Sequence, residues 1–153
     1  MRAVWGNDAE VLAAVPRIPV YPEADRERRM DAFYSQLVLW RVYFWGESFR
    51  RGDRYLQLRT ASEIVLFGGR LVLAHHRRLF PNQKRLMETL NAVAPEIADL
   101  GRAYLDALDD ASLTRFYDAV TATVGPRTVD VISRFTQDAE MTWFTGTHCV
   151  AEW

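Results

Sequence analysis

Pro81 constrains this chain more than any other residue. It closes the run Gly68-Gly-Arg-Leu-Val-Leu-Ala-His-His-Arg-Arg-Leu-Phe-Pro. Proline disfavours the helical state for Phe80 before it and is tolerated in the first turn of a succeeding helix. A helix, a corner and a second helix are therefore expected. His75, His76, Arg77 and Arg78 then collect at the end of the first helix, and Lys84 and Arg85 open the second. Gly68 and Gly69 each weaken the helix that carries them by about 1 kcal/mol, which a close helix approach would offset.

The helix that leads into this corner is expected from Arg54 to about Leu79, capped by Asp53 after the helix-terminating Gly52. Its apolar positions, Leu56, Ile64, Phe67 and Leu71 among them, spread over a broad face, as suits an element packed on more than one side. Arg59, Glu63, Arg70 and Arg77 form a second stripe, in which Glu63 and Arg59 are four apart and can pair. An earlier helix is expected from about Pro22 to Arg51. Its stripe of Met30, Phe33, Leu37, Trp40 and Phe44 would carry a carboxylate, Glu47, at its next position. Either the helix ends there in a wet corner, or Glu47 faces an arginine or a ligand, because an unpaired buried acid costs several kcal/mol.

Beyond Pro81, helices are expected to about Asn91, from Pro95 with Ile97, Leu100, Tyr104, Leu105 and Leu108 inward, and from an Asp109 or Asp110 cap through Val124, closed by Gly125-Pro126. A last one is expected over 128–142. Residues 1–22 hold a short strand-like Ala-Val-Trp, a brief helix and then Pro16, Pro19 and Pro22. They are read as a linker or the remnant of an upstream domain, before a bundle domain over 23–153. The expected class is all-α, an up-and-down helical bundle of five to six helices whose first two are long.

A chain of 153 residues, 49% hydrophobic and 25% charged, is large enough to bury a core. No apolar run approaches the roughly 20 residues of a membrane span, and the start lacks a secretory h-region, so the chain is read as soluble and cytoplasmic with no membrane partner. The single Cys149 cannot form an intramolecular disulfide and is read as a packing residue. No Cys/His cluster has metal-ligand spacing, so no metal site is expected. A net charge of −1 argues against a general nucleic-acid binder. It hides an asymmetry: Arg50 to Arg85 holds nine Arg/Lys against Asp53 and Glu63, whereas residues 86–153 hold four arginines against eleven acids. The basic middle either meets an anion or faces the acidic end of its own fold. In the second case Asp138 or Glu140, which point to different sides of the last helix, approaches Arg59, Arg70, Arg77 or Glu47.

His-Arg-Arg-Leu-Phe-Pro-Asn-Gln-Lys-Arg-Leu, from His76 to Leu86, resembles the Asn-x-Arg-x-Tyr/Phe-Pro-x-x-Lys-x-Leu corner of the helical C-terminal domain of bacterial nucleotidyltransferases of the DNA polymerase β superfamily. Phe44 to Arg54 and the late Phe-Thr-Gln-Asp-Ala-Glu-Met-Thr-Trp point the same way. The likeness covers roughly residues 25–153 and departs at His76, where asparagine is usual. It implies a HEPN-like bundle that helps form a substrate cleft for a catalytic α/β domain in the same or a separate chain. The complete enzyme would use a nucleoside triphosphate with magnesium, and no cofactor is implied for this chain itself. The metal-binding Gly-Ser and Asp-x-Asp patterns of that catalytic domain do not occur here. By this resemblance His76, Arg77, Lys84 and Arg85, with Arg70, face a nucleotide phosphate or the partner domain, while Glu47, Asp138 and Glu140 face a cationic or small-molecule substrate.

Arg70-Leu-Val-Leu-Ala-His75 also matches the arginine, four residues, histidine spacing of HEPN ribonucleases. Histidine can move a 2′-hydroxyl proton near neutral pH and arginine can stabilise charge developing on phosphate. That implies an alternative, a metal-independent ribonuclease acting as a homodimer, although Leu71 stands where those enzymes carry a polar residue. A non-catalytic helical interaction module is the third reading.

Overall fold

The computed structural model describes residues 21–127, and every regular element among them is helical. A 3-10 turn, Glu23–Asp25, leads into α1, Arg26–Leu39. A π-helical turn, Trp40–Phe44, carries the rod on into α2, Trp45–Arg51. Next come α3, Arg54–His75, a 3-10 turn Gln83–Arg85, α4, Leu86–Val93, α5, Pro95–Ala107, and α6, Asp110–Val124. The all-α expectation holds over these residues. The strand-like start and linker, the last expected helix, and Asp138, Glu140 and Cys149 lie outside the described residues.

Local chemistry accounts for the ends of the elements. Gly52 takes a left-handed conformation, φ 63°, and stops α2. Asp53 Oδ1 then accepts from the Leu56 N–H at 3.0 Å and starts α3. Asp109 starts α6 in the same way, accepting from the Ser112 N–H at 2.7 Å. α3 stops four residues earlier than Leu79. The Arg78 N–H bonds to the Leu73 carbonyl and the Arg77 N–H to the Ala74 carbonyl, with Arg77 itself at φ 54°. This is a Schellman closure made without glycine, and it satisfies the last carbonyls before the proline can act. α4 likewise becomes α-helical only at Leu86, after the 3-10 turn.

α3 is the central element and touches every other described α-helix. It runs antiparallel to α1: Arg26, at the start of α1, donates to the carbonyls of Ala74 and His75 at the end of α3, while Arg59, near the start of α3, lies over the ring of Trp40. Both glycines of α3 make the close approaches that their cost requires. A Cβ on Gly68 would sit 2.8 Å from Phe116 Cζ, and one on Gly69 3.1 Å from Leu86 Cδ1. Gly101 of α5 approaches the other edge of the same ring. Phe116 therefore occupies a slot between two glycines, fully buried, and burial of such a side chain contributes about 2 to 3 kcal/mol.

The expected stripe on the first rod holds only as far as the π turn. Met30 and Leu37 are buried, but farther on the buried positions are Trp45 and Ser48 rather than Phe44 and Glu47. The Trp45 N–H bonds to the Trp40 carbonyl, five residues back. One extra residue in that turn shifts the core-facing positions by one.

Alanine at the two kinds of glycine should have opposite effects. Gly68→Ala should lower stability by about 1 to 3 kcal/mol through overpacking against Phe116. Gly46→Ala, which meets nothing within 4 Å in α2, should raise it by up to about 1 kcal/mol. Denaturant midpoints of the two variants test the tightness of the slot.

Candidate functional site

The end of the bundle where α3 stops brings together the starts of α1 and α4 and the end of α6. His75 is half-buried in the last turn of α3, and the exposed His76 packs edge-on against it with 5.2 Å between ring centroids. Arg77 pairs with Glu23 at 2.9 Å, and Arg85 pairs with Glu88, three residues on in α4, at 2.9 Å, all four side chains being exposed. Arg78 and Lys84 are exposed and make no ion pair among the described residues. Deeper in, Arg127 bonds to Asp31, to Glu27 at 2.7 Å and to Met30 Sδ at 3.4 Å, tying the end of α6 to α1. In these pairs the arginines are the more buried partners: Arg26 and Arg127 are 17% and 11% exposed, against 66% for Glu27.

Burial lowers the pKa of His75, and the charges of His76, Arg26, Arg127 and Arg77 act in the same direction. The ring stays neutral near neutral pH. Sequence reasoning singled out His76, Arg77, Lys84 and Arg85 of this end but missed Arg26 and Arg127, whose partners are 48 and 96 residues away. Nothing local distinguishes either from a solvated arginine.

Arg70 is 8% exposed. Its guanidinium carbon lies 4.4 Å from the ring centroid of Phe80, 5.3 Å from Phe33 and 5.9 Å from Phe67. Three aromatic faces can stabilise a desolvated cation by cation–π attraction. Glu63, two turns away, is half-buried; burial raises its pKa, while Arg59 and Arg70 oppose that shift. The Arg59–Glu63 pair forms at 3.5 Å. Five residues of α-helix separate Arg70 from His75 by about 140° around the axis. Arg70 packs among aromatic rings, whereas His75 has arginines around it.

Glu47 faces arginines of its own helix. Arg51 Nε lies 2.5 Å from Glu47 Oε1, and Arg50 reaches the same carboxylate through two nitrogens, at 2.6 and 2.8 Å. Those bonds hold its pKa at about 2. The core polar contact of this region belongs instead to Trp45, which the stripe passed over. Its Nε1–H donates to Asp110 Oδ1 at 2.6 Å, and its ring meets Tyr104 at 5.4 Å. Among the described residues no group of three His, Cys, Asp or Glu is placed to hold a metal ion, and no helix is long and apolar enough to cross a membrane. Compared with protein-family models, curated proteins and solved structures, the chain matches none of them.

The neutral state of His75 has a consequence for stability. A base whose folded pKa is depressed binds fewer protons when folded than when unfolded, so stability falls as pH drops through the unfolded value near 6.5. His75→Gln should lose less melting temperature than the wild type between pH 7.5 and pH 5.5. Equal losses would mean that the bundle end accommodates an imidazolium.

Proposed function

We propose that this chain is an accessory helical domain of the HEPN-like, up-and-down class. In this reading it binds nucleotide or a small-molecule substrate for a nucleotidyltransferase catalytic domain carried in the same or a separate chain. The observation that carries the proposal is the contrast between α3 and the corner that follows it. The arginine on which a catalytic reading depends, Arg70, is enclosed by Phe33, Phe67 and Phe80. His76 and the cations Arg78 and Lys84 stand exposed at the corner.

The two pairs beside them, Arg77–Glu23 and Arg85–Glu88, are solvent-exposed, and such pairs contribute at most about 1 kcal/mol. A phosphate offers shorter, charge-assisted bonds roughly twice as strong as neutral ones, so both arginines can turn to it at little cost. General acid–base work on an RNA phosphodiester needs its two groups at one reacting phosphate. Arg70, only 8% exposed, offers little of its guanidinium to a phosphodiester, which favours binding over that chemistry.

Calorimetric titration with nucleoside triphosphates in the presence of magnesium should give saturable heat. The double variant Arg78→Ala, Lys84→Ala should weaken binding about tenfold, the loss of two phosphate contacts at somewhat under 1 kcal/mol each. Absence of heat with every nucleotide, with the protein encoded just upstream also present, overturns the reading. RNA incubated with the chain in EDTA should stay intact. Cleavage that His75→Ala abolishes would establish the ribonuclease instead.

A further inference from the structure

Gly68 turns toward Phe116 and the core. Arg59 lies nine residues earlier, two and a half helical turns, and so occupies the opposite side of α3. At the C-terminal half of the helix that outer side is closed by the corner, where Phe80 sits on Arg70. At the N-terminal half no described residue closes it. An open groove of about 370 Å³ runs there, lined by Tyr55, Leu58, Arg59, Ser62 and Glu63. Tyr55 is 70% exposed and Leu58 46%.

The groove continues onto the first rod. Arg59 spans the boundary, lining the groove with Tyr55 and lying 5.9 Å from the centroid of the Trp40 ring. Trp40 meets Phe44 at 4.4 Å, and Phe44 meets the exposed Tyr43 at 5.0 Å. The exposed Tyr55, Leu58 and Tyr43 thus lie along one surface with the half-buried Trp40 and Phe44, and connected apolar surfaces mark interaction sites. Its cations outnumber its acids. Arg41 lies over the Tyr117 ring of α6, which leaves Arg50, Arg51, Arg54 and Arg59 against Glu47, Asp53 and Glu63. Glu47 is engaged by both Arg50 and Arg51, Asp53 caps α3, and Glu63 is held beside Arg59. Among the described residues Arg54 reaches only Gln57, at 3.4 Å.

We infer that this face docks an acidic amphipathic helix of a partner protein. The described fold has no strand edge to extend, so backbone pairing is not the mode of recognition. A helix laid along the groove would set apolar residues at i, i+3, i+4 and i+7 over Leu58, Tyr55 and Trp40, with its carboxylates toward Arg50, Arg54 and Arg59. A single-stranded nucleic acid fits less well. Its phosphates would pass Glu47, Asp53 and Glu63, and the aliphatic Leu58 offers no stacking face. The surface is remote from the His76–Lys84 corner, so the inference does not depend on the nucleotide reading.

Two labelled peptides of about 20 residues, equal in their apolar face but flanked by Glu in one and by Lys in the other, provide the test by fluorescence anisotropy with the full chain. The Glu peptide should bind saturably and about tenfold more tightly than the Lys peptide. Leu58→Glu and Tyr55→Ala should each weaken it about tenfold with unchanged melting temperature, since both side chains are exposed. His76→Ala, at the other end of α3, should leave it unchanged. Equal binding of both peptides, or indifference to Leu58→Glu, overturns the inference. So does self-association that Leu58→Glu abolishes, which would assign the face to a second copy, or tighter binding of a single-stranded oligonucleotide.

Discussion

The contact on which the other helices depend is the one between Gly68 of α3 and the ring of Phe116. Because Gly68 has no Cβ, α6 comes close enough for Phe116 to be fully buried. Gly101 admits the other edge of that ring, which draws α5 in as well. Gly69, on another side of α3, does the same for Leu86 and so seats α4. Two residues that weaken an isolated helix thus determine where three neighbours lie. The propensity lost in α3 is recovered as burial on three sides.

With its inner side occupied in this way, α3 leaves its polar stripe outward, and the structure treats the two halves of that stripe differently. The C-terminal half is closed by the corner, whose Phe80 completes the enclosure of Arg70. The N-terminal half stays open beside the π turn. The extra residue of that turn sends Trp45 to the core, where its indole N–H finds Asp110, and leaves Tyr43 facing solvent. A single change of helical pitch therefore serves packing on one side and exposes aromatic surface on the other. π turns commonly accompany functional sites for this reason.

Among the described residues most ion pairs are short-range. Glu47 with Arg50 and Arg51, Arg59 with Glu63, Arg85 with Glu88 and Arg102 with Asp99 are all three or four residues apart. The pairs that join distant parts of the chain, Arg127 with Asp31 and Glu27 and Arg77 with Glu23, collect at one end of the bundle. That end holds the largely buried Arg26 and Arg127, and burial there lowers the pKa of His75.

How much could be read in advance differs from element to element. Residues within one helical turn of each other determined the caps at Asp53 and Asp109, the stop at Gly52, the start of α5 at Pro95 and the Arg59–Glu63 pair. Each of these depends on local backbone geometry or on an i, i+4 spacing that any helix imposes. The glycine pair in α3 announced a close approach without naming its partners. Tertiary structure alone decided the rest. A 3.6-residue period carries no trace of the π turn, so Trp45 and Ser48 replaced Phe44 and Glu47 in the core. The enclosure of Arg70 needed Phe33 and Phe80 from two other segments, and the capping of α3 by Arg26 joined residues 48 apart. Local sequence determines which conformations a segment can adopt cheaply. The neighbour that an arginine or an aromatic ring finally meets depends on how distant helices pack, and that packing is a property of the whole chain.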